Sequence, residues 1–184
     1  VTFITFLLQL NVNMPGIFAS ALVALSASRL VLAATPYEVQ KPPLDTDWTY
    51  SVGTDPWPEH PRPQLRRKAW ESLNGIWTYQ SASGDDAADS PPSGELEHEV
   101  LVPSCIESGL SGIQDLDVTH MWFAREFEVP EDWKDNRVLL NFEAVDYYAT
   151  VFVNGEEVES HVGGYNRFTI DVTDSISFDG PNDL

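Results

Sequence analysis

The sequence is poor in cysteine, in positive charge and in helical periodicity, and each shortage removes a class of protein. Its single thiol, Cys105, excludes an intrachain disulfide and a cysteine-rich zinc site. Ten Lys and Arg stand against 29 Asp and Glu, a formal net charge of −19. Such a chain repels phosphate backbones and anionic lipid, so neither nucleic acid nor a membrane is an expected partner. There is no Asn-x-Ser/Thr sequon, no phosphate-binding glycine loop, no Gly-x-Ser-x-Gly elbow and no His-Glu-x-x-His. The four histidines, His60, His98, His120 and His161, do not pair at metal-ligand spacing, so no metal and no cofactor are expected. At 184 residues the chain is too short for a (β/α) barrel, which needs roughly 250. What it does have is 42% hydrophobic and 11% aromatic residues, enough for a packed core despite the charge.

The first 34 residues hold no acid and one base, Arg29. From Met14, the first methionine, an apolar stretch runs through Ile17–Leu32 and ends in Val31-Leu32-Ala33-Ala34, small residues that suit cleavage. Residues 1–34 are therefore expected to comprise upstream sequence and a secretory signal peptide, which makes the protein secreted. The rival reading, a membrane anchor, is disfavoured because Arg29 interrupts the run short of the ~20 apolar residues a spanning helix needs. Residues 35–63 carry Pro42-Pro43, Pro56, Pro58, Pro61 and Pro63, which forbid helix and central strand. They are expected to form an extended leader over the domain surface, pinned by Trp48, Tyr50 and Trp57. Arg66-Arg67-Lys68 reads as a solvated or ion-paired turn.

Residues 64–184 are expected to form the domain itself, and from Leu73 its signals are strands. Ile76–Tyr79 is aromatic and β-branched, Glu97–Val102 alternates up to Pro103, and residues 82–95 read as a flexible loop. Met121–Val129 alternates, with Met121, Phe123, Phe127 and Val129 on one side. Arg137–Phe142, Tyr147–Val153, Glu156–Ser160 and Tyr165–Val172 follow. Asn154-Gly155 between two β-favouring runs predicts a two-residue hairpin, because a type I′ turn needs positive φ at both central positions. Short strands at close spacing with turns between them predict an all-β sandwich.

Chemistry is harder to find. Cys105 follows a strand and a proline without an identifiable base, so it reads as a buried structural thiol. Glu126 and Glu128 share a strand face and read as solvated rather than as a hydrolytic pair. Asp85, Asp86 and Asp89 belong to the flexible loop, whereas Asp115 and Asp117 lie in a loop that can reach a ligand. Arg125 is an anomaly, falling on the apolar face between Phe123 and Phe127, where a buried cation needs partners. An ion pair to a neighbouring loop is the expected answer.

These pieces combine into a resemblance. Leu73-Asn74-Gly75-Ile76-Trp77, Val102-Pro103-Ser104, the run Trp122–Pro130, the hairpin Tyr148–Gly155, and His161-Val162-Gly163-Gly164-Tyr165 followed by Phe168 and Asp171-Val172-Thr173 are similar, in order and spacing, to the N-terminal sugar-binding domain of glycoside hydrolase family 2. The resemblance covers about residues 63–176. It implies a galactose-binding-like jelly-roll sandwich at the front of a longer retaining β-glycosidase, a β-galactosidase, β-glucuronidase or β-mannosidase. The two catalytic glutamates of that family lie in a barrel this chain does not contain, so no catalytic residue is assigned. The resemblance further implies that a closing strand is missing after Leu184, leaving the sandwich incomplete. Trp77, Phe123, Phe127, Phe142, Phe152 and Phe168 become expected core residues. The long loop from Ser104 to His120 becomes the expected functional loop, with Asp115, Asp117 and His120 as sugar contacts. Expected partners are a β-glycoside carbohydrate and the downstream domains of the same protein. The alternative is a stand-alone, lectin-like carbohydrate-binding module without catalysis.

Overall fold

A computed structural model describes residues 33–56, 58, 68–83 and 90–184. The signal-peptide reading up to Leu32, together with Trp57, His60, Arg66, Arg67, Asp85, Asp86 and Asp89, lies outside the described residues. Among the described residues, no helix is long and apolar enough to cross a membrane.

The described residues form nine strands: β1 (Gly75–Ala82), β2 (His98–Val102), β3 (His120–Ala124), β4 (Glu126–Phe127), β5 (Leu139–Phe142), β6 (Tyr148–Val153), β7 (Glu156–Val162), β8 (Phe168–Asp171) and β9 (Asn182–Asp183). Helical turns among the described residues are confined to two short 3₁₀ segments, Gly109–Ser111 and Glu131–Trp133. All named strand pairs are antiparallel: β2-β1-β3 form one sheet, and β4-β9, β5-β8 and β6-β7 form pairs. The all-β class and the alternation of Phe168, Ile170 and Val172 inward follow the sequence pattern, since period-two apolar residues bury one face of a strand.

The larger core takes one face from each of several strands: Phe127, Val129, Val138, Leu140, Val151, Val153, Ile170 and Val172, with Phe142 and Phe168 stacked beside it at 4.8 Å. Burying each such side chain is worth about 1.5–3 kcal/mol. A smaller core, Tyr79, Val100 and Ile106, sits under β1 and β2 and is flanked by Trp77, Val102, Ile113 and Met121.

The hairpin at Asn154-Gly155 forms as its sequence requires, with φ of 53° and 83° and two residues between β6 and β7. Its Asn154 then reaches beyond the turn. The Asn154 amide donates to Ser175 O and Asn182 Oδ1, and its Oδ1 accepts from the Asp183 N–H, so the hairpin tip holds β9 in place. β9 pairs with β4, and Leu184 exchanges both backbone hydrogen bonds with Arg125.

Three expectations are corrected. The run Met121–Val129 is not one strand but two, β3 paired with β1 and β4 paired with β9, joined at Arg125. A strand that changes partners carries the same parity into different surroundings. Phe127 is therefore buried, while Phe123 is 36% exposed, its ring meeting Tyr79 edge-on at 5.5 Å. Among the described residues, Arg125 makes no ion pair of the expected kind. Its Nη1 donates to the carbonyls of Leu73, Asn74 and Ile76, at 2.9, 3.1 and 3.4 Å. Burial pulls its pKa below the ordinary value and the Glu71 carboxylate pushes back, yet a guanidinium stays charged. Cys105 is exposed rather than buried. The next residue, Ile106, takes the inward position against Tyr79 and Val100, which leaves Cys105 on the outside of the turn.

Candidate functional site

The segment between β2 and β3 is built around one hydroxyl. Ser111 is fully buried, and its Oγ donates toward the carbonyls of Ile106 and Ser108 while lying 3.0 Å from the Ile113 N–H and 3.3 Å from the Gln114 N–H. Ser108 caps the 3₁₀ turn by accepting from the Ser111 N–H. A long loop becomes a defined surface because its inward polar groups are satisfied in this way.

The leader braces the same loop. Thr35 bridges His98 in parallel, the Tyr37 N–H donates to a Glu99 carboxylate oxygen, the Tyr37 hydroxyl donates to Leu110 O, and the Gln40 N–H donates to Gly109 O. Trp48 and Tyr50, two of the three expected pins, are more than half exposed, and the contacts just named come from Tyr37 and backbone groups. Two glycines make the close approach possible. A Cβ on Gly109 would stand 2.3 Å from Gln40 O, and Gly112 has φ of 87° with the Tyr37 ring against it. Gly109→Ala is therefore expected to lift the leader off the loop. Hydrogen exchange at the Gln40 amide should speed up by orders of magnitude, with exchange at Val151 and Val153 in the larger core unchanged.

Of the three candidate contacts, two share one lining and the third supports it. Asp117 and His120 line one shallow recess of about 400 Å³, together with Ser81, Ala82 and Ser83 at the end of β1 and with Val118 and Thr119. His120 opens β3 opposite Ala82, and its Nδ1 lies 3.0 Å from the Thr119 hydroxyl. Asp115 is not part of this lining. Its Oδ1 accepts from the Asp117 N–H at 3.0 Å, an Asx turn that orients Asp117. Asp115 also faces Tyr79, whose phenol pKa is pushed up by burial first and by the Asp115 charge second.

The recess thus offers one carboxylate, one imidazole and several hydroxyls, a set suited to hydrogen-bonding the hydroxyls of a small polar ligand. Among the described residues, no cluster of His, Cys, Asp and Glu is arranged to hold a metal ion. Glu126 and Glu128 are both exposed. Ser81 and Ser83 escape a sequence reading because polar residues at the frayed end of a strand carry no periodic signal. Only the pairing of β1 with β3 brings them to His120.

Known proteins resemble this chain over the same region. The family described as glycosyl hydrolase 2 galactose-binding domain-like matches residues 77–184. A β-galactosidase of Thermoanaerobacter pseudethanolicus is 42% identical over 57 residues, 31% of this chain and 8% of that protein. A β-glucuronidase of Paenibacillus borealis is 29% identical over 121 residues, 61% of this chain and 20% of that protein. The solved structure of a β-glucuronidase from an uncultured Clostridium sp. superposes with a TM-score of 0.54 at 29% identity, covering 65% of this chain and 22% of that one. The chain spans at most about a fifth of the length of these curated relatives.

Proposed function

Because the chain belongs to the glycosyl hydrolase 2 galactose-binding domain-like family, we propose that it serves as the N-terminal accessory domain of a secreted, retaining β-glycosidase. The match through residues 77–184, a range that runs from within β1 to β9, carries this reading. In it the domain supports a catalytic barrel and presents the Asp117–His120 recess to the non-reducing sugar of a β-glycoside. The similarity to β-glucuronidases and to a β-galactosidase favours a glucuronide or galactoside over a mannoside. The acid-free first 34 residues, ending in Ala33-Ala34, favour export. Hydrolysis with retention needs two carboxyl groups roughly 5–5.5 Å apart, and this reading assigns both to a barrel outside the present sequence.

Two measurements test the reading. The purified chain is expected to turn over neither 4-nitrophenyl β-D-glucuronide nor the corresponding galactoside. Turnover that persists through purification to homogeneity would place the chemistry in this domain and overturn the accessory role. Sequencing the transcript past the Leu184 codon should continue the frame into a barrel pattern. A stop codon there would leave a non-catalytic carbohydrate-binding module instead.

A further inference from the structure

Asn154 and Gly155 form the two-residue turn between β6 and β7, and both are exposed. An Asn-Gly step carries its own electrophile and nucleophile: the glycine nitrogen can reach the side-chain carbonyl carbon of the Asn before it, and glycine has no side chain to block the approach. Nothing lies within 4 Å of a Cβ built on Gly155, so base and water have access to the turn. The Asn154 side chain, however, is turned onto β9 and the segment before it. Its Nδ2 donates to Ser175 O at 2.8 Å and to Asn182 Oδ1 at 2.9 Å, and its Oδ1 accepts from the Asp183 N–H at 3.0 Å. The Asn154 N–H adds a bond to Asp183 O at 2.9 Å. The sequence holds one other Asn-Gly step, Asn74-Gly75 at the start of β1, where the Asn74 amide donates to Pro56 O at 3.2 Å.

We propose that Asn154-Gly155 is a self-modification site whose reactivity is governed by the docking of β9. When β9 lets go, the Asn154 side chain is free to rotate over its own backbone. The Gly155 nitrogen, having given its proton to a base, attacks Asn154 Cγ. The Cγ–Nδ2 bond breaks and ammonia leaves, taking up that proton. Water then adds across one of the two C–N bonds of the resulting succinimide, which leaves an aspartate or an isoaspartate at position 154. No oxidant or further reactant is needed. The product cannot refasten the strand. An ionised carboxylate has no proton for Ser175 O or Asn182 Oδ1 and sets its charge against both. An isoaspartate also adds one backbone atom to a turn whose geometry admits two residues. Opening and modification thus reinforce each other, and a transient release of the sheet edge becomes a permanent one. The inference concerns the hairpin tip and does not depend on the accessory role.

The test is incubation of the whole chain at mildly alkaline pH, with peptide mapping by mass spectrometry to follow amide loss at Asn154 and Asn74 and enzymatic isoaspartate methylation to identify the product. In the folded chain Asn154 is expected to react at least about tenfold more slowly than in the urea-denatured chain, because reaction has to wait for local opening. Asn182→Ala removes one acceptor of the Asn154 amide, and Asp183→Pro removes the N–H that its Oδ1 accepts. Each should speed the loss at Asn154 and leave Asn74 unchanged. The modified chain, separated by its extra negative charge, should lose hydrogen-exchange protection at the Arg125 and Leu184 amides, which bond across β4 and β9. Reaction of folded Asn154 at the denatured rate overturns the proposal, as does a rate at Asn154 that neither variant changes. Equal acceleration of Asn74 and Asn154 in both variants overturns it too, because global folding rather than β9 would then be the protection. So does a modified chain that keeps full protection at Arg125 and Leu184.

Discussion

Replacing Asn182 with alanine is expected to lower the unfolding free energy by about 3–5 kcal/mol, a large part of the ~5–15 kcal/mol that holds a domain together. Asn182 is fully buried, and its side chain is a polar hub. Oδ1 accepts from the Ser177 N–H and from the Asn154 amide, while Nδ2 donates to the carbonyls of Ser177 and Gly180. Alanine removes the partner of each group at a site water does not reach, so the cost is the desolvation of orphaned donors and acceptors rather than the modest net value of the bonds. The loss also unfastens β9 from the hairpin tip, because Asn154 is held through the same amide. Urea unfolding followed by tryptophan fluorescence reads the change as a shift in midpoint. Asn182→Asp is the informative companion. It keeps the acceptor but turns a second oxygen toward the carbonyls of Ser177 and Gly180, so at neutral pH it should be at least as damaging as alanine. A shift below about 1 kcal/mol in Asn182→Ala would mean that this network does not close the sheet edge.

The second large effect is expected at Arg125. Arg125→Met keeps the length and apolar stem but leaves the carbonyls of Leu73, Asn74 and Ile76 without their shared donor, at an expected cost of about 2–4 kcal/mol. Arg125→Lys should recover less than half of this. An ammonium on a flexible stem does not reproduce a planar guanidinium whose Nη1 sits among the carbonyls at the start of β1. Gly75, with φ of 127°, leaves room for that approach. A Cβ there would stand 3.2 Å from Nη1 and 3.1 Å from Thr54 O. Gly75→Ala should therefore reproduce part of the Arg125→Met defect, and the double variant should cost less than the two single effects combined. Full additivity in a double-mutant cycle would show that Arg125 and Gly75 act independently.

Much of the domain was legible in one dimension because its physics is local. A strand with a buried face must alternate, so Val138, Leu140, Ile170 and Val172 announced their own burial. A two-residue hairpin needs positive φ twice, so Asn154-Gly155 marked itself. The near-absence of cysteine and the excess of acid also bounded the chemistry before any fold was known.

What the tertiary structure alone decided were matters of partnership between residues far apart in the chain. Alternation does not reveal that a strand changes sheets at Arg125, because parity is conserved while the neighbours change. Phe123 and Phe127 look alike in sequence and end in different surroundings for that reason. Arg125 found carbonyls about 50 residues away, a choice set by where the segment Leu73–Ile76 enters β1. The inward turn of Ile106 put Cys105 outside, and the Asx turn at Asp115 spent that carboxylate on the Asp117 N–H, while Asp117 and His120 line the recess. The candidate recess exists because β1 pairs with β3, which carries Ser81, Ala82 and Ser83 to His120 across nearly 40 positions of sequence. Periodicity reports which way a side chain points relative to its own strand; only long-range pairing determines what it meets there.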